Sequence, residues 1–266
     1  MKFRLRWILI PILILVLVGV LLKIMGGKEA DALEEVTEVP QEQGTLEEEI
    51  VIDENAPCIV VDAGHGGYDP GMVNEDGVIE KEINLQMAFV LKDTLEKAGF
   101  RVVLTRDSDE GLYEEESSGR KMQDLRNRCN IINETQPVCT ISIHQNSFPD
   151  ETVYGPQVFY YHTSEGSKTL AEIIQTSINE SLQIEKPREA KDNGSYYILK
   201  KSPSVIALVE CGFLSHKEEA KLLVSEDYQK QMAEAICQGV LTYMEGQQKD
   251  MAQEEQQEIE TQENQS

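Results

Sequence analysis

Three apolar stretches of this chain each run into a residue able to do proton or metal chemistry. Ile59-Val60-Val61 leads into Asp62-Ala63-Gly64-His65-Gly66-Gly67, Ile141-Ser142-Ile143 into His144-Gln145-Asn146, and Ile206-Ala207-Leu208-Val209 into Glu210-Cys211-Gly212. In an open α/β sheet, ligands bind at the carboxyl ends of the strands, so the three positions converge on one rim. Two imidazoles and a carboxylate on one rim suggest a metal site. Glu80, in the turn before an amphipathic stretch, can add another carboxylate. Plainer readings compete at each place. A histidine after a strand is most often structural or simply exposed. Gly64, Gly66 and Gly67 argue against that for His65, because they let the backbone bend tightly and leave the ring accessible. Glu80 and Glu82 also suit the first turn of a helix, where the macrodipole favours acids. Glu210 is harder to set aside, since a carboxylate at the mouth of a buried strand is costly unless paired or used. The Gly-His-Gly-Gly run is no phosphate loop: it lacks the Gly-Lys-Ser/Thr ending and does not match GxGxxG. On spacing alone, the metal site and the structural reading balance.

The elements that must position these residues alternate. Short apolar runs at 58–61, 101–104, 138–143, 158–161 and 205–209 read as strands, and helical periodicity marks 82–98, 122–133, 167–182, 217–223 and 227–243. Strands alternating with helices predict an α/β fold, a mostly parallel central sheet flanked by helices on both faces, in a single domain over residues 57–244. Residues 107–119, rich in Glu, Asp, Ser and Gly, read as an exposed loop and a candidate gate.

Charge separates this domain from its flanks. The 266 residues hold 24 Lys+Arg against 48 Asp+Glu, a formal charge of −24. Nucleic acid is gripped by cations that neutralise phosphates, so such a chain is not expected to bind it. A hydrophobic share of 40% is enough for a core. Residues 1–25 carry +4, 26–56 carry −10, 57–244 carry −12 and 245–266 carry −6. The acidic flanks lack aromatic residues and sustained periodicity, and are expected to be a disordered linker (26–56) and tail (245–266).

From Trp7 to Leu22 the sequence is apolar and preceded by Lys2, Arg4 and Arg6. Residues 1–25 therefore read as a membrane anchor or signal segment, with an uncleaved anchor preferred. The run falls slightly short of the roughly 20 residues of a spanning helix, and apolar edges with snorkelling cations extend it. The cationic end stays inside, which puts the linker and domain outside the cytoplasm. Five cysteines, an odd number without a CxxC pair, fit neither a zinc ribbon nor a fully paired disulfide framework.

Taken together, Asp62–Gly67, Gly77 with Glu80-Lys81-Glu82-Ile83-Asn84-Leu85, Thr105-Arg106, Ser142–Asn146 and Glu210–Ser215 resemble the zinc-dependent N-acetylmuramoyl-L-alanine amidases of the Amidase_3 type. Leu125, Arg128 and Asn133 fall on the family's Leu-x-x-Arg-x-x-x-Ala-Asn pattern, with Ile132 in the Ala place. The resemblance implies that His65, Glu80 and His144 bind Zn²⁺, that Glu210 is the catalytic carboxylate, and that Arg128 and Asn146 contact substrate. It implies peptidoglycan as partner, through both stem peptide and glycan strand, and leaves room for an accessory activator protein. Within the family, the short anchor, Arg120-Lys121-x-x-Asp124-Leu125-Arg126 and Asn193-Gly194-Ser195-Tyr196-Tyr197 are similar to the germination-specific branch that acts on spore cortex. That branch implies a place at the outer forespore membrane facing the cortex, on the route to muramic δ-lactam; a vegetative autolysin is the alternative.

Departures from the family are Ala63 for the usual Pro, His216 for Asn and Ser147 for Ala. None touches an implied ligand. Two rivals are weaker. A cysteine hydrolase would use Cys211, but that residue follows Glu210 directly and in a strand points to the opposite face. A non-catalytic peptidoglycan-binding protein should have lost a ligand, and none is lost.

Overall fold

An apolar run can be buried at every position only where both faces of its strand are covered, and Cys58–Ala63 is buried throughout. The computed structural model describes residues 53–263. Its strands are β1 (Cys58–Ala63), β2 (Arg101–Leu104), β3 (Cys139–Asn146), β4 (Gln157–Tyr160), β5 (Lys191–Asp192) and β6 (Ile206–Phe213). They form one sheet in the order β2-β1-β3-β6-β4-β5. β1, β2, β3 and β6 run parallel, and β4 is antiparallel to β6. The helices are α1 (Glu80–Lys97), α2 (Arg120–Thr135), α3 (Glu165–Ser181), α4 (Tyr197–Lys201), α5 (Lys217–Leu223) and α6 (Glu226–Glu263). The mostly parallel α/β architecture is the expected one.

Strand alternation divides the core into two. Ile59, Val61, Ile141, Ile143, Val209 and Cys211 face a larger cluster that includes Leu91 of α1, Ile174 of α3 and Ile236 of α6. Val60, Ile206 and Leu208 face a smaller one with Ile132 of α2 and Ile198 and Leu199 of α4. Helices thus cover both faces. Asp62, Ser142, His144 and Glu210 continue the alternation of the second face, where register pairs Asp62 with Ser142 and His144 with Glu210.

Three features depart from the sequence expectation. Strands β3 and β6 extend beyond their apolar runs, through His144–Asn146 and Glu210–Phe213, because ladder hydrogen bonds hold the polar residues in extended backbone. Second, α6 runs to Glu263, through most of the 245–266 stretch expected as tail. Its first half packs through Met232, Ile236 and Val240. With the nucleus formed there, the following Glu, Gln, Lys and Ala residues propagate the helix cheaply. Third, the 107–119 loop is fastened rather than free. Lys81 Nζ reaches Asp109 at 2.7 Å, Leu112 N donates to Asp124 Oδ1 at 2.8 Å, and Asn127 Nδ2 donates to Leu112 O. The expected anchor at 1–25 and the linker up to residue 52 lie outside the described residues. Among the described residues, no helix is long and apolar enough to cross a membrane.

Candidate metal centre

The Gly-His-Gly-Gly turn leaves β1 through the left-handed region, which its glycines adopt freely and its histidine does not. His65, Gly66 and Gly67 all have positive φ, at 60°, 138° and 57°, and the histidine carries the strain. Two buried guanidinium groups stabilise the turn by collecting its carbonyls. Arg106 donates to Ala63 O and Gly64 O, and also to Lys81 O at the start of α1. Arg128 donates to Ala63 O and His65 O. Asp62 anchors the arrangement, accepting from Thr105 Oγ1 at 2.8 Å, Arg128 Nη1 at 2.7 Å and Ser142 Oγ at 2.6 Å. Burial opposes ionisation of Asp62, but Arg128 and Ser142 hold its pKa below the usual range.

On this scaffold, His65, Glu80 and His144 converge, with one ligand atom of each lying within 4.8 Å of the others. Glu80 Oε1 sits 3.1 Å from His65 Nε2 and 3.1 Å from His144 Nδ1. The other carboxylate oxygen accepts from Met72 N at 2.8 Å. Asn84, one turn along α1, donates to Glu80 Oε1 and Gly64 O. Burial alone would raise the Glu80 pKa, yet the two imidazoles hold it far below the usual carboxylate range. Burial pulls the His65 imidazole down, but Asp69 and Glu80 carry it up to about 9. The pocket therefore stabilises positive charge between its carboxylates. Two imidazole nitrogens and one carboxylate oxygen, this close together, form a donor set that one divalent ion can bridge.

Asp69 escaped the sequence reading. Its Oδ2 lies 3.2 Å from His65 Nδ1 and 3.2 Å from Lys121 Nζ. Such a carboxylate fixes the imidazole so that Nε2 faces the cluster. The clue available in the sequence was its place four residues after His65, across a turn closed by reciprocal Gly66–Asp69 backbone hydrogen bonds.

Glu210 is 5% exposed. Tyr196 Oη donates to its Oε1 at 3.3 Å, and Oε2 has no partner among the described residues. Burial, and then the negative charge of Glu80, push its pKa up to about 7 against the opposing pull of His144. A carboxylate poised there can take and return a proton near neutrality.

Other expectations fare differently. Arg128 is 2% exposed, and Asp62, Asp124, Ala63 O and His65 O take its donors. The structure therefore makes it a brace for the His65 turn, with its guanidinium turned to partners inside the fold. Asn146 closes β3 half-buried, its Oδ1 accepting from Ser147 N. Cys211 is fully buried on the face opposite Glu210, where burial pushes its thiol pKa far up and disfavours a thiolate nucleophile. His216 caps α5, its Nδ1 accepting from Glu219 N.

Residues 59–242 match the sequence profile of the N-acetylmuramoyl-L-alanine amidase family. The germination-specific N-acetylmuramoyl-L-alanine amidase of Bacillus subtilis (strain 168) is 37% identical over 188 residues, 70% of this chain and 78% of that protein. The CwlD amidase from Clostridioides difficile, solved in complex with the GerS lipoprotein, superposes with a TM-score of 0.68 at 39% identity, covering 71% of this chain and 98% of that one. An N-acetylmuramoyl-L-alanine amidase from Clostridium difficile 630 gives 0.64 at 32% identity, over 72% and 98%.

Proposed function

Because the chain belongs to the N-acetylmuramoyl-L-alanine amidase family, we propose that it cleaves the amide between N-acetylmuramic acid and L-alanine in spore-cortex peptidoglycan, with zinc held by His65, Glu80 and His144. The observation that carries the reading is the placement of Glu210. It is the ladder partner of His144 and leaves an adjacent strand on the same face as that member of the three-donor cluster.

The residues present suit zinc: two histidines and one carboxylate leave a fourth position open, as hydrolytic zinc sites require. A zinc ion there would supply Lewis acidity, lowering the pKa of water and polarising the scissile carbonyl. The protein's own part follows from its geometry. Asp69 holds the His65 ring, and Asn84 and Met72 N hold Glu80. As water adds to the lactyl carbonyl carbon, Glu210 Oε2 takes its proton. Glu210 then gives that proton to the alanine nitrogen as the C–N bond breaks, leaving a lactyl carboxylate and a free peptide amine. Asn146, at the end of β3, is proposed as a substrate contact.

The cortex assignment draws on the likeness to the germination-specific relative. The neighbour solved with a lipoprotein supports an accessory protein partner here as well. A wall substrate puts the domain outside the cytoplasm, held by the N-terminal segment as anchor. Muropeptide analysis of spores lacking this chain tests the whole: muramic δ-lactam should disappear, and unchanged lactam would remove the cortex role while leaving the amidase chemistry to be assayed on purified peptidoglycan.

A further inference from the structure

We infer that Tyr196 is a positioning residue for Glu210: its hydroxyl pins one carboxylate oxygen and leaves the other to carry the proton. The inference rests on the amidase reading above. Glu210 lies between two neighbouring strands, paired with His144 on β3 and with Gln157 on antiparallel β4. On the β4 side its Oε1 accepts from Tyr196 Oη at 3.3 Å, while Oε2 is buried without a partner among the described residues. An ionised carboxylate offers about four acceptor sites, and burying them unused costs stability. An unpartnered Oε2 therefore marks the oxygen kept for a proton that comes from outside the chain. The terminal torsion of a glutamate is broad and roughly two-fold, so without a donor on Oε1 neither oxygen is fixed in place.

The chain invests several contacts in holding this phenol. Asn193 Oδ1 accepts from Ser195 N at 2.8 Å, Ser195 Oγ at 2.7 Å and Tyr196 N at 3.2 Å, closing the Asn-Gly-Ser-Tyr turn. Asn193 N donates to Tyr160 O at 2.8 Å, which ties the turn to β4. The Tyr196 ring meets Phe159 of β4 edge-on, with centroids 5.6 Å apart. Tyr196 O then accepts from Lys200 N, opening α4. Burial and the adjacent Glu210 charge keep the phenol protonated, so it stays a donor. The position requires a tyrosine hydroxyl; a phenylalanine would satisfy the packing alone.

Tyr196→Phe tests this, because it keeps the ring on Phe159 and removes only the donor. With the full chain and added zinc, peptide release from purified peptidoglycan gives kcat and KM separately. Metal content and melting temperature are measured on the same samples. The expected result is a kcat about 10- to 100-fold lower, the equivalent of one hydrogen bond to a charged group, with KM and zinc content unchanged and a melting temperature lower by only about a few degrees, as the loss of one donor to the buried Glu210 requires. Asn193→Ala, which loosens the turn, should lower kcat in the same direction. A Tyr196→Phe kcat within about two-fold of wild type, or a loss confined to KM, overturns the inference. A wild-type chain that leaves the amide intact removes the function and this inference together, whereas an active wild type beside an equally fast Tyr196→Phe removes this inference alone.

Discussion

His144 and Glu210 are direct partners in the β3–β6 ladder, so an imidazole of the three-donor cluster and the carboxylate proposed to carry the proton leave adjacent strands on one face. The relationship separates their roles: His144 lies against Glu80, whereas Glu210 meets Tyr196. Glu210→Gln should therefore lower amide hydrolysis by about 10²-fold or more, the range general acid–base groups supply. Zinc bound per chain should stay at the wild-type value. Metal analysis beside a peptide-release assay decides it, and wild-type rates in the variant would end the mechanism.

Gly64 and Gly71 act as spacers for the cluster. A Cβ on Gly64 would overlap the His144 ring, and one on Gly71 would lie 2.5 Å from Glu80 Oε2 and 2.8 Å from His65 Cδ2. Gly71 also has φ of 68°, where an L side chain is strained. Both Gly64→Ala and Gly71→Ala should displace ligands and weaken zinc binding. Gly77→Ala is the contrast: it shares a positive φ, yet nothing lies within 4 Å of its Cβ, so it should lose stability and keep metal affinity. Titration against a chromogenic chelator distinguishes them; equal affinities in all three would refute the spacer role.

Much of this was legible in the sequence because His65 and His144 follow apolar runs and Glu80 opens a helix, and apolar periodicity locates such boundaries. Asp69 and Tyr196 were harder. Both lie in irregular backbone, where contacts depend on how two loops fold back on their strands. The bracing role of Arg128 was hidden for the same reason. Its place on α2 was visible, but sequence does not show that Asp62, across 65 intervening residues, would reach its guanidinium. The tail was misread for another reason: composition reports solvation, and a solvated segment can still be helical when a packed helix feeds into it.

Asp69→Asn should weaken zinc binding about 10- to 100-fold, the usual effect of losing a carboxylate behind a ligand histidine. The amide keeps the shape of the side chain and loses the negative charge that orients the His65 ring. Competition for zinc with a chelator of known affinity measures this directly, without recourse to activity. An unchanged affinity would reduce Asp69 to a turn-closing residue.

Arg128→Met should destabilise the chain by about 3–5 kcal/mol, the penalty for leaving one member of a buried ion pair without its partner. Asp62 would remain 1% exposed with its principal counter-charge removed. The His65 turn would also lose two carbonyl contacts. Urea unfolding monitored by circular dichroism measures the change. A shift under about 1 kcal/mol, in the range of an exposed pair, would contradict the bracing role.

The last prediction concerns pH and the metal-free protein. Burial raises the Glu210 pKa from 4.5 to about 7, so the folded chain binds this proton more tightly than the unfolded one. Stability contributed by the protonated form is therefore fully present below about 4.5, is lost as pH rises through the window, and is gone above about 7. Above that point the ionised, buried carboxylate costs the fold on the order of 3 kcal/mol. Glu210→Gln removes the titration. In chelator, the variant should match wild type near pH 4.5 and become progressively more stable than it up to about pH 7, with a constant gap beyond. The other titrating groups are common to both proteins, so the difference between their denaturation curves isolates Glu210. A gap independent of pH would mean that the carboxylate is not strained by burial, and that its placement carries no stability cost for the sake of proton transfer.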